Sequence, residues 1–552
     1  MTTHIAAHDR AGIAVAAIFG AAVFLIFAGP SPLDVTNIAW LATGDRAMHQ
    51  LGWMAFRQAP WGWPPGASPE LGIELSNSIA LVDGLPLFAF PFKLATGLLP
   101  PVFQYWGLWL LLCFMLQSVF GYLLAQALGA GKLAALVAAG FVLVTPALLF
   151  RIPMHMALSG HWTILAALWL YARAASPRSW HCPLLMALTA AIHAYLLAMV
   201  LPIWAASLLQ RRLLRRTGSP GALGEIVLTL ASVLAVLYLA GFFMTGSLGT
   251  YGFGSYKLNL LWPVISYGWS QIFPDLPHTK FDYEGLSFPG VGTMALLTLG
   301  MVTGGIAAAG AMFHRRWWPL ATVVAAMAIF ALSNKIAILD HEWLEIALPA
   351  TLLDVFSAFR SSGRFVWPLL YLVTIGAVAM LARRFPPVPV AAIASLALAV
   401  QIADSAPKWH DFSAGLPPSS PFWTTALTSP FWDRAAEAGY TRLRAIPLQG
   451  YGGDWQVLSY YAVTHRMATD AVYLGRTDEA AQNALVETER LALETGSFEP
   501  RTLYILDAET AVQAARHLRP ADLLANIDGR IVFARDGAAL VDGLGIEPQG
   551  AG

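Results

Sequence analysis

The sequence predicts an α-helical polytopic membrane protein, with about eleven transmembrane helices and a small C-terminal α/β domain. Three observations lead there. Of 552 residues, 57% are hydrophobic and only 12% charged, against about 25% charged in soluble globular proteins. The hydrophobic residues come in blocks long enough to cross a bilayer, which takes roughly 17–25 residues. From about Asp404 onward the long apolar runs stop and the charged fraction rises.

The first apolar run is Ala11–Ala28, after a weakly basic start with His4, His8 and Arg10. Gly29, Pro30 and Ser31 follow without a small-x-small cleavage pattern, so a retained first helix is expected rather than a removed signal peptide. Further runs lie near 103–127, 132–149, 161–175, 182–209, 224–245, 290–312, 317–333, 365–382 and 387–403. Basic clusters mark the turns between them: Lys132, Arg173 with Arg178, Arg211-Arg212-Arg215-Arg216, His314-Arg315-Arg316 and Arg383-Arg384. Cytoplasmic loops are enriched in Lys and Arg. All these clusters fall inside if 76–100 does not span and 182–209 crosses twice. Asp83, Pro86, Pro91 and Lys93 suit a re-entrant or surface-lying segment. The polar "IHAY", 192–195, divides the second run.

This topology puts the N-terminus in the cytoplasm and the C-terminal domain on the opposite side of the membrane. Four segments then share the non-cytoplasmic side: 30–100, 145–162, 246–289 and 334–364. The transmembrane domain is 1–403, with its first outer loop at 30–100. A Pro-rich linker at 404–421 leads to a soluble domain at 422–552. There, "TLYILD" (502–507) and "RIVFARDG" (530–537) read as strands. "TDEAAQNALVETERLALETG" (477–496) reads as an amphipathic helix with Gly496 as its C-cap.

Some classes are disfavoured. Lys+Arg and Asp+Glu are both 33, so charge offers no pull toward nucleic acid. Cys113 and Cys182 lie in or beside apolar runs without ligand spacing, against a disulfide framework or zinc site. No phosphate-binding loop of Walker spacing supports ATP-driven transport.

Ionisable residues at a membrane edge usually have a reason to be there. In "GDRAMHQLGWMAFRQAPW" (44–61), Asp45, His49, Trp53 and Arg57 follow at i+4 spacing and share one helix face. Asp45 is a candidate base; a helix-capping carboxylate is the plainer reading. Asp282 and Glu284, in "FDYEG", are either a second catalytic or metal-binding acidic pair or two solvated loop acids. Arg151, His155 and His161 suit hydrogen bonding or phosphate contact, because six residues separate the two histidines where a helical zinc pair would need four. Arg360 and Arg364, in "FRSSGR" before an apolar helix, suit a lipid phosphate or simple snorkelling. Trp53, Trp61, Trp63, Trp262, Trp269 and Trp367 are expected in interfacial aromatic belts.

The layout resembles the GT-C superfamily of polyprenyl-phosphate-sugar-dependent glycosyltransferases, and "LGAGKLAALVAAGFVLVTP" (128–146) looks like its second cytoplasmic turn and third helix. More closely, "GDRAMHQLGWMAFRQAPW", "HMALSGHWTILAALWLY" and "FRSSGRFVWPLLYL" resemble an uncharacterised family of bacterial multispanning proteins. The superfamily resemblance implies a GT-C-type transferase taking a hexose or pentose from a polyprenyl-phosphate donor to a glycan or lipid acceptor in the envelope. The first-loop acid, here Asp45, would act as general base, with inversion at the anomeric carbon. Arg360, Arg364 and Arg151 would receive the lipid phosphate. Asp282 and Glu284 would be the partners for a divalent metal, which only some members use. Many members carry a second acid beside the first; here that neighbour is Arg46, which argues against a metal at Asp45. The alternative is a non-enzymatic transporter, flippase or assembly partner for lipid-linked sugars.

Overall fold

The computed structural model describes residues 9–173, 180–215, 220–246, 252–305, 316–448 and 453–547. His4, His8, Arg178, Arg216, His314 and Arg315 lie outside them. The chain divides into two compact units. The first holds Met1–Val35, Tyr105–Val236 and Leu248–Pro417; the second holds Thr36–Gln104, Leu237–Ser247 and Pro418–Gly552.

The first unit is a bundle of apolar helices. Among the described residues, six helices are long and apolar enough to cross a membrane: Arg10–Ala28, Trp106–Ala127, Ala194–Arg212, Gly221–Leu239, Ser362–Arg384 and Pro387–Ala414. Five shorter apolar helices accompany them: Lys132–Leu143, Met156–Ala172, His181–Ala190, Val291–Thr303 and Trp318–Ala331. Small residues set the closest approaches, as expected where lipid removes the usual hydrophobic drive for helices to associate. A Cβ on Gly20 would lie 2.3 Å from the Phe114 carbonyl oxygen, and one on Gly292 would lie 2.1 Å from that of Ala397. The run 182–209 is broken at Ala191–His193, between helices His181–Ala190 and Ala194–Arg215.

The stretch 404–421, expected as a linker, is helical as far as Ala414. Packing explains this. The Asp404 carboxylate is buried and accepts hydrogen bonds from the backbone N–H groups of Gln271 (2.8 Å) and Ile272 (2.9 Å). The rings of Trp409 and Phe412 pack on Phe27. Tertiary contacts of this kind override the local preference of Pro407 to end a helix.

The second unit is built on a five-stranded sheet in the order Ala468–Thr469, Arg442–Ile446, Thr502–Leu506, Arg530–Ala534, Leu523–Ile527. The first three strands are parallel and the last two antiparallel. Asp528 and Gly529, both with positive φ, make the two-residue hairpin turn between the antiparallel pair. Every residue of Thr502–Leu506 is buried, because both faces of the sheet are covered. One face packs against helices Phe431–Glu437 and Trp455–Thr464, the other against Glu479–Thr495 and Ala508–Ala515.

The first loop belongs to this unit and closes an edge of its sheet. Gly72 and Ile73 donate N–H groups to the Thr469 carbonyl, and Thr469 donates back to Glu70. An unpaired sheet edge invites association, so covering it removes a liability. Beside this contact Arg444, 3% exposed, pairs with Asp470 (2.9 Å), Glu74 (2.8 Å) and Glu499 (3.3 Å). Further along, Trp423 Nε1 donates to the Ile38 carbonyl (2.8 Å). Burial pushes the Asp470 carboxyl up to about 6 against the pull of Arg444. Burial, and then the charge of Asp470, push Glu489 up to about 8.

Two stability predictions follow from these charges. Arg444→Met strands buried Asp470 without its cation and should lower unfolding free energy by about 3 kcal/mol in a thermal or denaturant melt. Glu489 has a raised folded pKa, so the folded state holds its proton where the unfolded state has lost it. Its contribution is therefore lost as pH rises from about 5 to 8. Glu489→Gln should flatten the fall in melting temperature across that range; an unchanged pH profile would refute the assignment.

Candidate anion-binding site

Three short segments of the first unit meet around one carboxylate. Glu284 sits in a 3₁₀ turn, Asp282–Gly285; Arg364 sits in another, Ser362–Val366, leading straight into the helix Trp367–Arg384. The two turns nest because both carry glycine. A Cβ on Gly363 would lie 2.7 Å from the Cα of Gly285, and one on Gly285 would lie 2.7 Å from the Lys257 carbonyl oxygen. Arg151 comes from the loop between helices Pro146–Leu149 and Trp162–Ala172.

Glu284 Oε2 accepts from Arg151 Nη1 and from Arg364 Nη2, each at 2.7 Å. Arg151 Nη2 also donates to the Glu284 carbonyl oxygen (3.1 Å). His155 Nε2 lies 3.6 Å from Glu284 Oε1. All three charged residues of the triad are buried. Burial alone would raise the Glu284 carboxyl, but Arg364 and Arg151 hold it well below the ordinary carboxylate range. Burial lowers the Arg151 guanidinium to about 10 despite Glu284, so it stays protonated at neutral pH. Two guanidiniums against one carboxylate leave a net positive charge. Arg151 stacks over Phe150 and Trp367, and Arg364 lies 4.9 Å from the ring centre of Tyr195. The Tyr195 hydroxyl accepts from the Ser361 N–H, fixing the turn before Arg364.

The other candidates take different places. Asp282 is fully buried, not solvated: Oδ2 accepts from Asn259 Nδ2 and the Thr279 N–H, and Oδ1 lies 3.2 Å from His278 Nδ1. Neither acid of "FDYEG" is a solvated loop acid, because each has partners that offset its burial. Asp282 Oδ1 makes no hydrogen bond among the described residues, so this pair keeps a carboxylate oxygen that a divalent metal could take. His161 hydrogen-bonds through Nδ1 with the Tyr371 hydroxyl (2.6 Å) and packs on Trp367. Arg360 lies over the Tyr256 ring, 5.9 Å from its centre.

In the second unit, Gly44–Gln58 is one helix, so Asp45, His49, Trp53 and Arg57 do share a face. Thr43 holds the N-cap position and Asp45 lies in the first turn, so Asp45 is not the capping residue. His49 is buried and places a ring nitrogen within 4.8 Å of an Asp83 carboxylate oxygen. Arg57 donates to the carbonyls of Pro101 (3.0 Å) and Thr96 (3.4 Å), which anchors the return of the loop. Trp53 is fully buried, its indole N–H donating to Phe103 (2.9 Å), and Trp269 and Trp367 are buried too. These three are core residues rather than belt residues; Trp61 and Trp63 are exposed.

Sequence reasoning missed Tyr195, Asn259, His278 and Asp83 as partners. Tyr195 stands in "IHAY", which reads as a helix break and gives no sign of a distant arginine.

The fold and site together define a helical membrane protein with a buried, net-positive arginine cluster at its helix ends and an α/β domain. The chain belongs to the family described as a domain of unknown function (DUF6311), whose model matches residues 17–406; the DUF6311 C-terminal domain matches residues 431–535. No curated protein matches. Among solved structures, the chain is similar to ArnT from Cupriavidus metallidurans in the apo state, at 15% identity and TM-score 0.45, over 98% of this chain and 100% of that one. The same protein bound to undecaprenyl phosphate aligns at 14% identity and TM-score 0.38, over 98% and 99%. The oligosaccharyltransferase AglB from Archaeoglobus fulgidus, in complex with an inhibitory peptide and a dolichol-phosphate, aligns at 12% and TM-score 0.38, over 96% and 74%.

The triad makes its own prediction. Glu284→Gln leaves two buried guanidiniums facing each other and should cost about 3–5 kcal/mol of stability, read as a lower melting temperature in detergent. Glu284→Asp keeps the charge and should lose less. Equal melting of Glu284→Gln and wild type would show that the pairing does not hold these loops.

Proposed function

We propose that the protein is a membrane glycosyltransferase. It would move a sugar from a polyprenyl-phosphate donor to an acceptor hydroxyl of the cell envelope, on the outer face of the cytoplasmic membrane. The observation that carries this reading is the buried pair Arg151 and Arg364, held by Glu284 with net positive charge. Planar guanidiniums fixed in advance suit a phosphate leaving group, and charge-assisted hydrogen bonds to phosphate are strong. Held in place before the reaction, they stabilise negative charge as it develops.

In the proposed step the acceptor hydroxyl gives its proton to Asp45 as its oxygen bonds to the anomeric carbon. The bond from that carbon to the phosphate oxygen breaks with inversion. The lipid phosphate leaves with the electron pair and is received by Arg151 and Arg364, with Arg360 and His155 as further phosphate-binding residues. His49 positions Asp45. Glu284 acts through the arginines it orients, and Asp282 organises its loop.

A chromosomal Asp45→Asn variant, compared with wild type and a full deletion by mass spectrometry of envelope glycans, tests the base. General base catalysis contributes about 10²–10⁴ in rate, so the variant should reproduce the glycan loss of the deletion. Wild-type glycans in the variant, with altered glycans in the deletion, would overturn the role of Asp45. Unaltered glycans in the deletion would overturn the reading as a whole.

A further inference from the structure

One segment of the first unit presents apolar side chains that the protein leaves uncovered. Between helices Trp318–Ala331 and Ser362–Arg384 the chain makes an antiparallel hairpin, Lys335–Ile338 with His341–Glu345, and then a helix, Ala350–Ser357. The first strand is anchored: Ala337 is buried and accepts from the Leu260 N–H. All five residues of the second strand are exposed, and the helix has no buried residue. Trp343 (67%), Leu344, Ile346, Leu352 and Val355 (64%) are exposed together. Large apolar side chains left exposed this densely in one short segment mark a binding region.

Reach and charge decide what covers it. The segment is tied at both ends to apolar helices of membrane type. Only Leu332–Asn334 separate Ala331 from the hairpin, and Ala358–Ser361 separate the helix from Ser362. At about 3.5 Å per residue these connections hold the segment within about 10–20 Å of the helix ends. From Trp343 to Phe356 the only charged residues are Glu345 and Asp354, with no Lys or Arg. Glu342 and Glu345 are paired with Lys257 (2.7 Å) and Lys335 (3.4 Å), which lowers the cost of bringing the strand to a low-dielectric surface.

We propose that residues 339–356 lie in the interfacial layer of the bilayer, with Trp343, Ile346, Leu352 and Val355 seated among the lipid chains. With no basic residues between Trp343 and Phe356, apolar burial holds the segment there, so zwitterionic lipid is enough.

Cys113 and Cys182 are buried, so single cysteines in place of Trp343 or Val355 can be labelled with an environment-sensitive fluorophore in the full chain, reconstituted in phosphatidylcholine nanodiscs. Both labels should be quenched by doxyl-lipid and be at least about threefold less quenched by iodide than labelled glutathione. Replacing a third of the lipid with phosphatidylglycerol should not strengthen the doxyl quenching. Iodide quenching equal to that of glutathione at both positions would overturn the proposal. So would iodide protection without doxyl quenching, which would indicate cover by a second copy. Val355→Cys keeps the test decisive if loss of Trp343 disturbs the hairpin.

Discussion

The first unit turns on one constraint: the charges of Arg151, Arg364 and Glu284 are buried, so they must find each other. An unpaired charge away from water is too costly to persist. Glu284 lies 133 residues from Arg151 and 80 from Arg364. Satisfying the three therefore fixes where three loops sit at the ends of the helices. Gly285 and Gly363 let the turns come close enough, and Tyr195 and Trp367 pack against the guanidiniums. The surplus positive charge of this arrangement is also what suits it to an anion. The same physical requirement thus organises the loops and prepares the proposed site.

The second unit gives the C-terminal sheet a structural task. Arg444 and the edge contacts at Thr469 bind the first loop into the same compact unit as the sheet. The helix carrying Asp45 belongs to that unit and packs against Trp455–Thr464. The loop is therefore part of a folded α/β body rather than a free excursion from the membrane helices. A loop braced in this way can hold a reactive side chain in a fixed direction, as positioning for catalysis requires.

Much of the architecture was legible because it is local. Hydrophobic block length marked the apolar helices, the polar "IHAY" marked a real break, and Gly496 ends its helix in the left-handed conformation expected of a C-cap. The i+4 row from Asp45 to Arg57 is one helix face as read. What was not legible depends on distant partners. Trp53 looked like an interfacial anchor, but its indole meets Phe103, fifty residues away. The acids of "FDYEG" read either as a functional pair or as solvated loop acids, and nothing nearby in sequence announces Arg151, Arg364 or Asn259 to decide between them. Residues 404–414 looked like a linker because their packing on Phe27 and their hydrogen bonds to Gln271 and Ile272 are tertiary. The hairpin at 335–345 is short, and its register has a bulge at Ile336/Ala337 that blurs any alternating pattern.

The central claim is that Arg151 and Arg364 receive a lipid phosphate. The most direct measurement is titration of a short-chain polyprenyl phosphate into the full chain in nanodiscs, for wild type, Arg151→Ala and Arg364→Ala. The matching polyprenol, which lacks the phosphate, serves as the control. The account predicts binding by wild type, at least tenfold weaker binding by each variant that still melts as a folded protein, and no such difference with the polyprenol. Equal affinity of wild type and folded variants for the phosphate, or equal affinity of wild type for phosphate and alcohol, would contradict it.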